Sequence, residues 1–312
     1  MSALELLKRS AAAPMQQIAR RYSATARLSS LLSSALPPLT CIDVGASYYP
    51  HPKWRLLLES PAVRWVAVEP NVANIGYIEH WEWPCKVTAV TTGLSRTGGA
   101  QTLYVTNVDS GSSLLEPRIP AAQAHRFRDL GYFFPVQPRP IDTLTLQAVI
   151  DAHAAGPVLV KLDTQGTELS IVSGAETAVA DRRVIGVELE STLLAQPVMQ
   201  GSGKFWEACR YFEERGFELL HIKVMAGASR MPRKHARANT FLNECDAVFA
   251  LRRDVAADLP VEHRTALFAF YLCNKLFDEA HDLLEADTAL RSYLQARGCD
   301  IQRLAALIDK LS

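Results

Sequence analysis

The stretch Val158-Leu-Val-Lys-Leu-Asp163-Thr-Gln-Gly166-Thr-Glu168 constrains this chain more than any other. Val158 to Leu162 is an apolar run interrupted only by Lys161, the pattern of a strand buried on both faces of a sheet. Asp163 ends the strand and Gly166 breaks the chain direction. Glu168 opens a helical pattern in which Leu169, Val172, Ala175 and Val179 share one face. The unit holds a carboxylate at the C-terminal edge of a central strand, where open α/β sheets bind ligands. Taken alone, Asp163 also reads as an ordinary turn residue.

The same device recurs along the chain. After Pro37-Pro38, the run Leu39-Thr-Cys-Ile-Asp43-Val-Gly45-Ala-Ser47 is a strand feeding a glycine turn. Asp43 lies inside that run and needs a polar partner, because a bare buried carboxylate is costly. Trp54 to Leu58 reads as the next helix, and Arg64 to Asn71 as a second strand ending at Glu69. The interval from Gly45 to Glu69 suits a cofactor turn followed by the acid that takes ribose hydroxyls. A carboxylate fits that task because it accepts two hydrogen bonds from a vicinal diol.

Lys86 to Thr92 reads as a third strand, and Gln101 to Asn107 as a hairpin arm. Residues 108–115 form a polar loop, either a substrate rim or a solvated turn. Residues 118–140, with Pro120, Pro135, Pro138 and Pro140, read as an irregular inserted cover. Asp142 to His153 reads as a helix capped by Asp142. Arg183 to Glu190 is another strand ending in acid, and Phe205 to Arg215 is a helix stopped by Gly216. Phe217 to Val224 and Asp246 to Leu251 are the last two strands. The connection between them carries Arg230, Arg233, Lys234, His235 and Arg237, a basic loop able to hold an anionic acceptor or simply to face water.

Thirty-three basic residues balance thirty-three acidic ones, so no global field draws nucleic acid. The six cysteines contain no CxxC pair, which argues against a zinc site or a disulfide framework and fits a cytoplasmic, reducing setting. Cys41 and Cys245 lie in apolar runs and read as core. No apolar run approaches transmembrane length, so no integral membrane segment is expected. Residues 1–37 are basic and rich in Ser and Ala, with a helical stripe of Met15, Ile18, Ala19 and Tyr22; they read as helices packed on the domain, or as a transit or surface segment. The expected organisation is this N-terminal segment, a catalytic domain over 38–252, and a helical extension over 260–312. Ala266 to Ala280 weakly resembles one tetratricopeptide-type repeat, and one repeat makes no solenoid. The extension is expected to cap the domain, to pair two copies or to dock a partner.

Four ordered segments resemble the FkbM-type S-adenosylmethionine-dependent methyltransferases. They are Ile42-Asp43-Val-Gly45-Ala-Ser47, Val68-Glu69-Pro-Asn71, Ser110-Gly-Ser-Ser-Leu-Leu115 and Lys161-Leu-Asp163-Thr-Gln-Gly166-Thr-Glu168. Val187-Glu188 and Asp246-Ala-Val-Phe249 match the family's last strands. The resemblance implies an α/β fold with a Rossmann-like seven-stranded methyltransferase sheet, its final strand antiparallel between its neighbours. It implies S-adenosyl-L-methionine as cofactor and methyl transfer to a hydroxyl of a sugar, glycolipid or other small molecule. Asp43, Gly45, Ala46 and Ser47 would line the methionine part. Glu69 would hold the ribose, Pro70 and Asn71 would lie beside the adenosine, and Asp163 would sit near the sulfonium and the acceptor. Glu190 would face the acceptor.

Two departures from the family pattern stand out. Ser47-Tyr48-Tyr49-Pro50 replaces the usual second glycine, which would put Tyr48 or Tyr49 against the cofactor or reshape the turn. Gln165 stands where many relatives have Glu. A hydroxyl acceptor needs a base, and Asp163, Glu190, His125 and His221 are the candidates. No paired acid motif accompanies Asp163, so a metal-independent reaction is expected. The competing readings are an inactive methyltransferase fold that serves as a scaffold, and a nicotinamide-dependent oxidoreductase. The second lacks the GxGxxG turn.

Overall fold

The computed structural model describes residues 24–80, 82–124, 130–226 and 242–312. Among them the strands are, in chain order, β1 (Leu39–Val44), β2 (Val63–Val68), β3 (Lys86–Val90), β4 (Gly93–Leu94), β5 (Gly99–Val105), β6 (Gln137–Leu144), β7 (Val158–Leu162), β8 (Val184–Thr192), β9 (Phe217–Ala226) and β10 (Leu242–Leu251). Seven of them form one sheet in the order β3-β2-β1-β7-β8-β10-β9. β10 runs antiparallel between β8 and β9, while β1 pairs in parallel with both β2 and β7. This is the Rossmann-like methyltransferase sheet that the motifs imply. The central strand β7 is buried at all five positions, Lys161 included.

Strand alternation sorts the side chains to two faces. Asp43, Lys161 and Glu188 are register partners across β1, β7 and β8, so they share one face. Gly186 lies two residues before Glu188 and faces the same way. A Cβ on Gly186 would come within 2.8 Å of the Phe270 ring, so the helix Val261–Cys273 presses directly on this face. Gly186→Ala is expected to destabilise the protein by about 1–3 kcal/mol through overpacking. Urea unfolding measures it, and a change below about 0.5 kcal/mol would show that the ring yields freely.

The C-terminal helices are not a separate body. Phe268 and Phe270, Leu284 of Phe277–Ala286, Leu290 and Leu294 of Thr288–Ala296, and Leu304 and Ile308 of Ile301–Asp309 belong to the hydrophobic core that contains the sheet. The core therefore runs across the boundary expected at Pro260. The first two helices of the extension, Val261–Cys273 and Phe277–Ala286, are separated by a turn through Asn274 and Lys275, where Lys275 has φ of 59°. Helix Ala24–Leu32 adds Leu28 and Leu32 to the same core, and the rest of the basic N-terminal segment lies outside the described residues. No described helix is long and apolar enough to cross a membrane.

Three local expectations change. Asp142 belongs to β6, not to a helix cap, because Gln137 to Thr143 pairs with β5 in a second, three-stranded sheet. The following helix starts at Leu146 and is capped by Thr145, whose hydroxyl accepts from the Ala148 N–H at 3.0 Å. Pro138 and Pro140 sit where β6 has β5 on one side only, which tolerates their missing donors. The helix after β7 is two short ones, Glu168–Ser173 and Glu176–Ala180. They meet at Gly174, which lies so close to the Arg96 carbonyl that a Cβ would be 2.5 Å away.

Candidate active site

The C-terminal ends of β1, β2 and β7 open onto one cavity of about 580 Å3, within the usual size range for small-molecule sites. Gly45 and Ser47 line it from β1, Glu69, Pro70 and Asn71 from β2, and Asp163, Thr164 and Gln165 from β7. Glu190 and Glu244 close one side, and Asp109, Ser110, Ser112 and Ser113 form a rim. Leu103, Ile141, Tyr132 and Phe133 supply apolar walls.

The floor is a glycine turn in contact with the central strand end. Gly45 has φ of 76°, and a Cβ there would stand 2.1 Å from the Asp163 carbonyl oxygen. Ser47 also takes the left-handed region, with φ of 56°. That turn shapes the loop without the family's second glycine. Tyr48 packs edge-on against Tyr77, with ring centroids 5.9 Å apart, and Tyr49 is exposed; neither lines the cavity. Of the two alternatives for this departure, the geometry accords with a reshaped turn.

Glu69 ties two loops together. Its carboxylate accepts the Ser47 N–H and the Asn71 N–H, both at 2.9 Å. Burial raises its pKa above the ordinary carboxylate value and Asp109 adds to the rise, against the opposing pull of the two backbone donors. Asn71 caps the helix Val72–Glu79 by accepting from the Ala73 N–H. The side-chain amides of Asn71 and Asn74 both donate to Asp109, at 3.0 and 2.8 Å. The rim loop is thereby anchored to the cavity wall.

The other end is acidic. The Gln165 amide donates to Glu190 at 2.9 Å and to Asp163 at 3.3 Å, so it bridges the two acids instead of adding a third. Gln165 holds φ of 58°, strained for a side chain of its size. Glu168, buried behind the loop, accepts from the Thr164 N–H at 2.7 Å and from the Gly166 N–H at 2.9 Å. It fixes the turn that carries Asp163. The Ser113 hydroxyl donates to the Gln165 carbonyl at 2.9 Å and clips the rim loop to the same turn.

Asp43 lies beneath the cavity and does not line it. It is buried, with Lys161 Nζ at 3.7 Å; the same Nζ is 3.5 Å from Asp163. Burial lowers the Lys161 pKa, but Asp43 and Asp163 outweigh it and the net shift is upward. Lys161 therefore stays charged and is the polar partner Asp43 requires. Glu188 continues the row across β8 and pairs with Lys53. Ala46 is buried and also absent from the lining. His125 lies outside the described residues, as does most of the basic connection before β10. His221 is exposed on β9, away from the cavity.

Gly45, Ser47, Glu69, Pro70, Asn71, Asp163 and Glu190 thus meet at one space. Asp109 lies in the loop read as a possible substrate rim but was not singled out, and sequence reasoning missed Asn74, Glu244, Tyr132 and Phe133. Asn74 had a signal, one helical turn after Asn71 on the same face. Glu244 had none, because β10 begins earlier than its apolar run suggests.

A sequence model described as the methyltransferase FkbM domain matches residues 43–219. This chain belongs to the FkbM methyltransferase family. The matched span runs from Asp43 to Leu219 and covers the glycine turn, Glu69, the rim loop and the Asp163 turn. Among solved structures, the chain is similar to a precorrin-6y C5,15-methyltransferase from Geobacter metallireducens. The identity is 14%, covering 73% of this chain and 87% of that one, with a TM-score of 0.31. It is also similar to a TehB-like SAM-dependent methyltransferase from Corynebacterium glutamicum, at 10% identity over 80% of this chain and 100% of that one, with a TM-score of 0.31. No curated protein matches the chain.

Glu168 gives this FkbM methyltransferase a pH-sensitive turn. Burial pushes its carboxyl up to about 7, above the ordinary 4.5 of the unfolded chain. Between those values the folded protein holds a proton that the unfolded chain has lost. The stabilising contribution is therefore complete below about pH 4.5 and gone once pH passes about 7. The linkage amounts to at most about 3 kcal/mol. Urea unfolding at pH 5 and pH 8 should show a smaller stability difference in Glu168→Gln than in the native protein. An unchanged difference would place the proton elsewhere.

Proposed function

We propose that the protein is an S-adenosyl-L-methionine-dependent O-methyltransferase acting on a hydroxyl of a sugar, glycolipid or other small molecule. The observation that carries this reading is the convergence of the Gly45 turn, Glu69 and Asp163 on one cavity of about 580 Å3. The residues suit the cofactor. Gly45 leaves its backbone bare, and a Cβ would occupy the space between the two loops. Each Glu69 oxygen accepts a backbone N–H and keeps lone pairs for a vicinal diol.

When bound, S-adenosyl-L-methionine supplies an electrophilic methyl group on a sulfonium. Glu69 would take the ribose hydroxyls, and Pro70 and Asn71 would lie beside the adenosine. Gly45 and Ser47 would bound the methionine part, with Asp43 and Lys161 fixing that floor from below. Asp163 would lie toward the sulfonium. A carboxylate there helps binding, but holding the ground-state charge too firmly would slow transfer. Alignment of the acceptor oxygen with the methyl group can contribute roughly 7–11 kcal/mol. The hydroxyl proton must leave during attack, and Asp163 or Glu190, both lining the cavity, would receive it.

Calorimetric titration with S-adenosylhomocysteine tests the reading. One saturable site is the expected result, and no binding heat would overturn the cofactor assignment. Saturable quenching by NADH without a response to S-adenosylhomocysteine would favour a nicotinamide enzyme.

A further inference from the structure

Beside the main cavity lies a smaller hollow of about 50 Å3. Phe133, Gln165, Glu190 and Glu244 line both spaces, so the two meet at these side chains. The smaller space has room for a few heavy atoms but not for a nucleoside. Its outer wall is apolar. Val198 and Met199 form a small buried cluster there with Phe133, separate from the main core. Its inner wall is acidic. Glu190 is opposite Asp246, and Glu244 is opposite Thr192, in the antiparallel pairing of β8 with β10. Glu190 and Glu244 are therefore diagonal neighbours on one face, at a spacing that long side chains can bridge. Among the described residues no Lys or Arg lines either space.

We propose that the smaller hollow receives the acceptor's reacting group and that Glu190 and Glu244 act there as a carboxyl pair sharing one proton. The acceptor it selects is a neutral or cationic hydrogen-bond donor with an apolar flank, not an anion. This rests on the O-methyltransferase reading and deepens it by naming the acceptor class and adding Glu244 as a further catalytic residue.

The electrostatics agree with the geometry. Burial, with Asp163 next in weight, pushes the Glu190 carboxyl well above the usual range. Burial and then Asp163 and Asp246 push Glu244 up to about 7. Two carboxyls so confined do not both ionise readily. The surroundings do not reverse this. Asp163 and Glu168 face the pair from the β7 turn, and Asp246 faces it from β10 while paired with Lys223 of β9. Lys161 lies 3.5 Å from Asp163 but is shared with Asp43 and lines neither space, so among the described residues an anionic acceptor would meet like charge along the whole inner wall. A hydroxyl instead donates to the ionised member. As the oxygen–carbon bond forms, the carbon–sulfur pair stays with sulfur, and the hydroxyl proton passes to that carboxylate.

Three fragments of one shape test the charge preference: benzyl alcohol, benzylammonium and benzoate. Each is added to full-length protein saturated with S-adenosylhomocysteine and followed by ligand-observed saturation-transfer NMR. Benzyl alcohol and benzylammonium should bind, and benzoate should not. Glu244→Gln and Glu190→Gln should each weaken benzylammonium at least fivefold. In the native protein, benzylammonium binding at pH 7 should release protons, seen as a heat that varies with the ionisation enthalpy of the buffer. Benzoate binding as tightly as benzylammonium would overturn the proposal. So would an affinity unmoved by both substitutions, or no binding by either donor. The prior titration with S-adenosylhomocysteine separates the two ideas. Its failure removes the O-methyltransferase reading, whereas its success with a failed fragment test removes only the acid pair.

Discussion

Gly45→Ala is expected to lower stability by about 2–6 kcal/mol and to abolish binding of S-adenosylhomocysteine. Two costs add at this position. A left-handed backbone with a side chain costs about 1–3 kcal/mol. Overpacking against a rigid neighbour costs a similar amount. That neighbour is the Asp163 carbonyl, 2.1 Å from where the Cβ would sit, and backbone cannot rotate aside as a side chain can. Relief requires the β1 and β7 ends to separate, which opens the cavity floor. Gly99 is the control: its φ is 86°, but nothing lies within 4 Å of its Cβ position. Gly99→Ala should therefore show only the backbone part, about 1–3 kcal/mol, with binding intact. Urea unfolding and calorimetry read both. Equal losses in the two variants, with binding kept in both, would show that the turn at Gly45 is not pressed against β7.

The legible part of this fold is the part that obeys a period. β1, β2 and β7 are apolar runs that end at Gly45, Glu69 and Asp163, and their ends are where the cavity forms. Parallel strands with both faces covered leave that signature because no position on them can be polar without a partner. Asp43 and Lys161 show the rule from its exception. Each looked out of place in its run, and each is the other's partner across β1 and β7. Long-range geometry was not legible. The Asp142 helix cap failed because an Asp before a helical run looks the same whether the preceding residues form a loop or pair with β5. Asp109 and Glu244 come from a rim loop and from the start of a strand, and no period marks either. Phe133 lies in the inserted cover, which does reach the site, but through an aromatic wall that its prolines gave no reason to expect.

Glu69→Ala is expected to weaken S-adenosylhomocysteine about a hundredfold while leaving the sheet folded. The size follows from the hydrogen bonds at stake. A bond to a charged group contributes about 1.5–3 kcal/mol, and a diol held by one carboxylate makes two. The same carboxylate also fixes the Ser47 and Asn71 backbone, so part of the loss is positional. Glu69→Gln separates the contributions. Its single amide oxygen can serve one backbone donor, but its NH2 group would face the other, and it cannot accept from both ribose hydroxyls. A loss intermediate between the native protein and Ala is expected, about tenfold. The pH dependence has a fixed sign. Because burial raises the Glu69 pKa, the carboxyl protonates earlier than usual as pH falls, and affinity in the native protein should fall with it. Glu69→Gln should lose that slope. Unchanged affinity in Glu69→Ala would remove the ribose assignment yet leave family membership and the sheet untouched, since the first rests on the matched span from Asp43 to Leu219 and the second on the strand pairings. The cavity would then have to hold its ligand by the rim loop, through Asp109 and the two asparagines bonded to it.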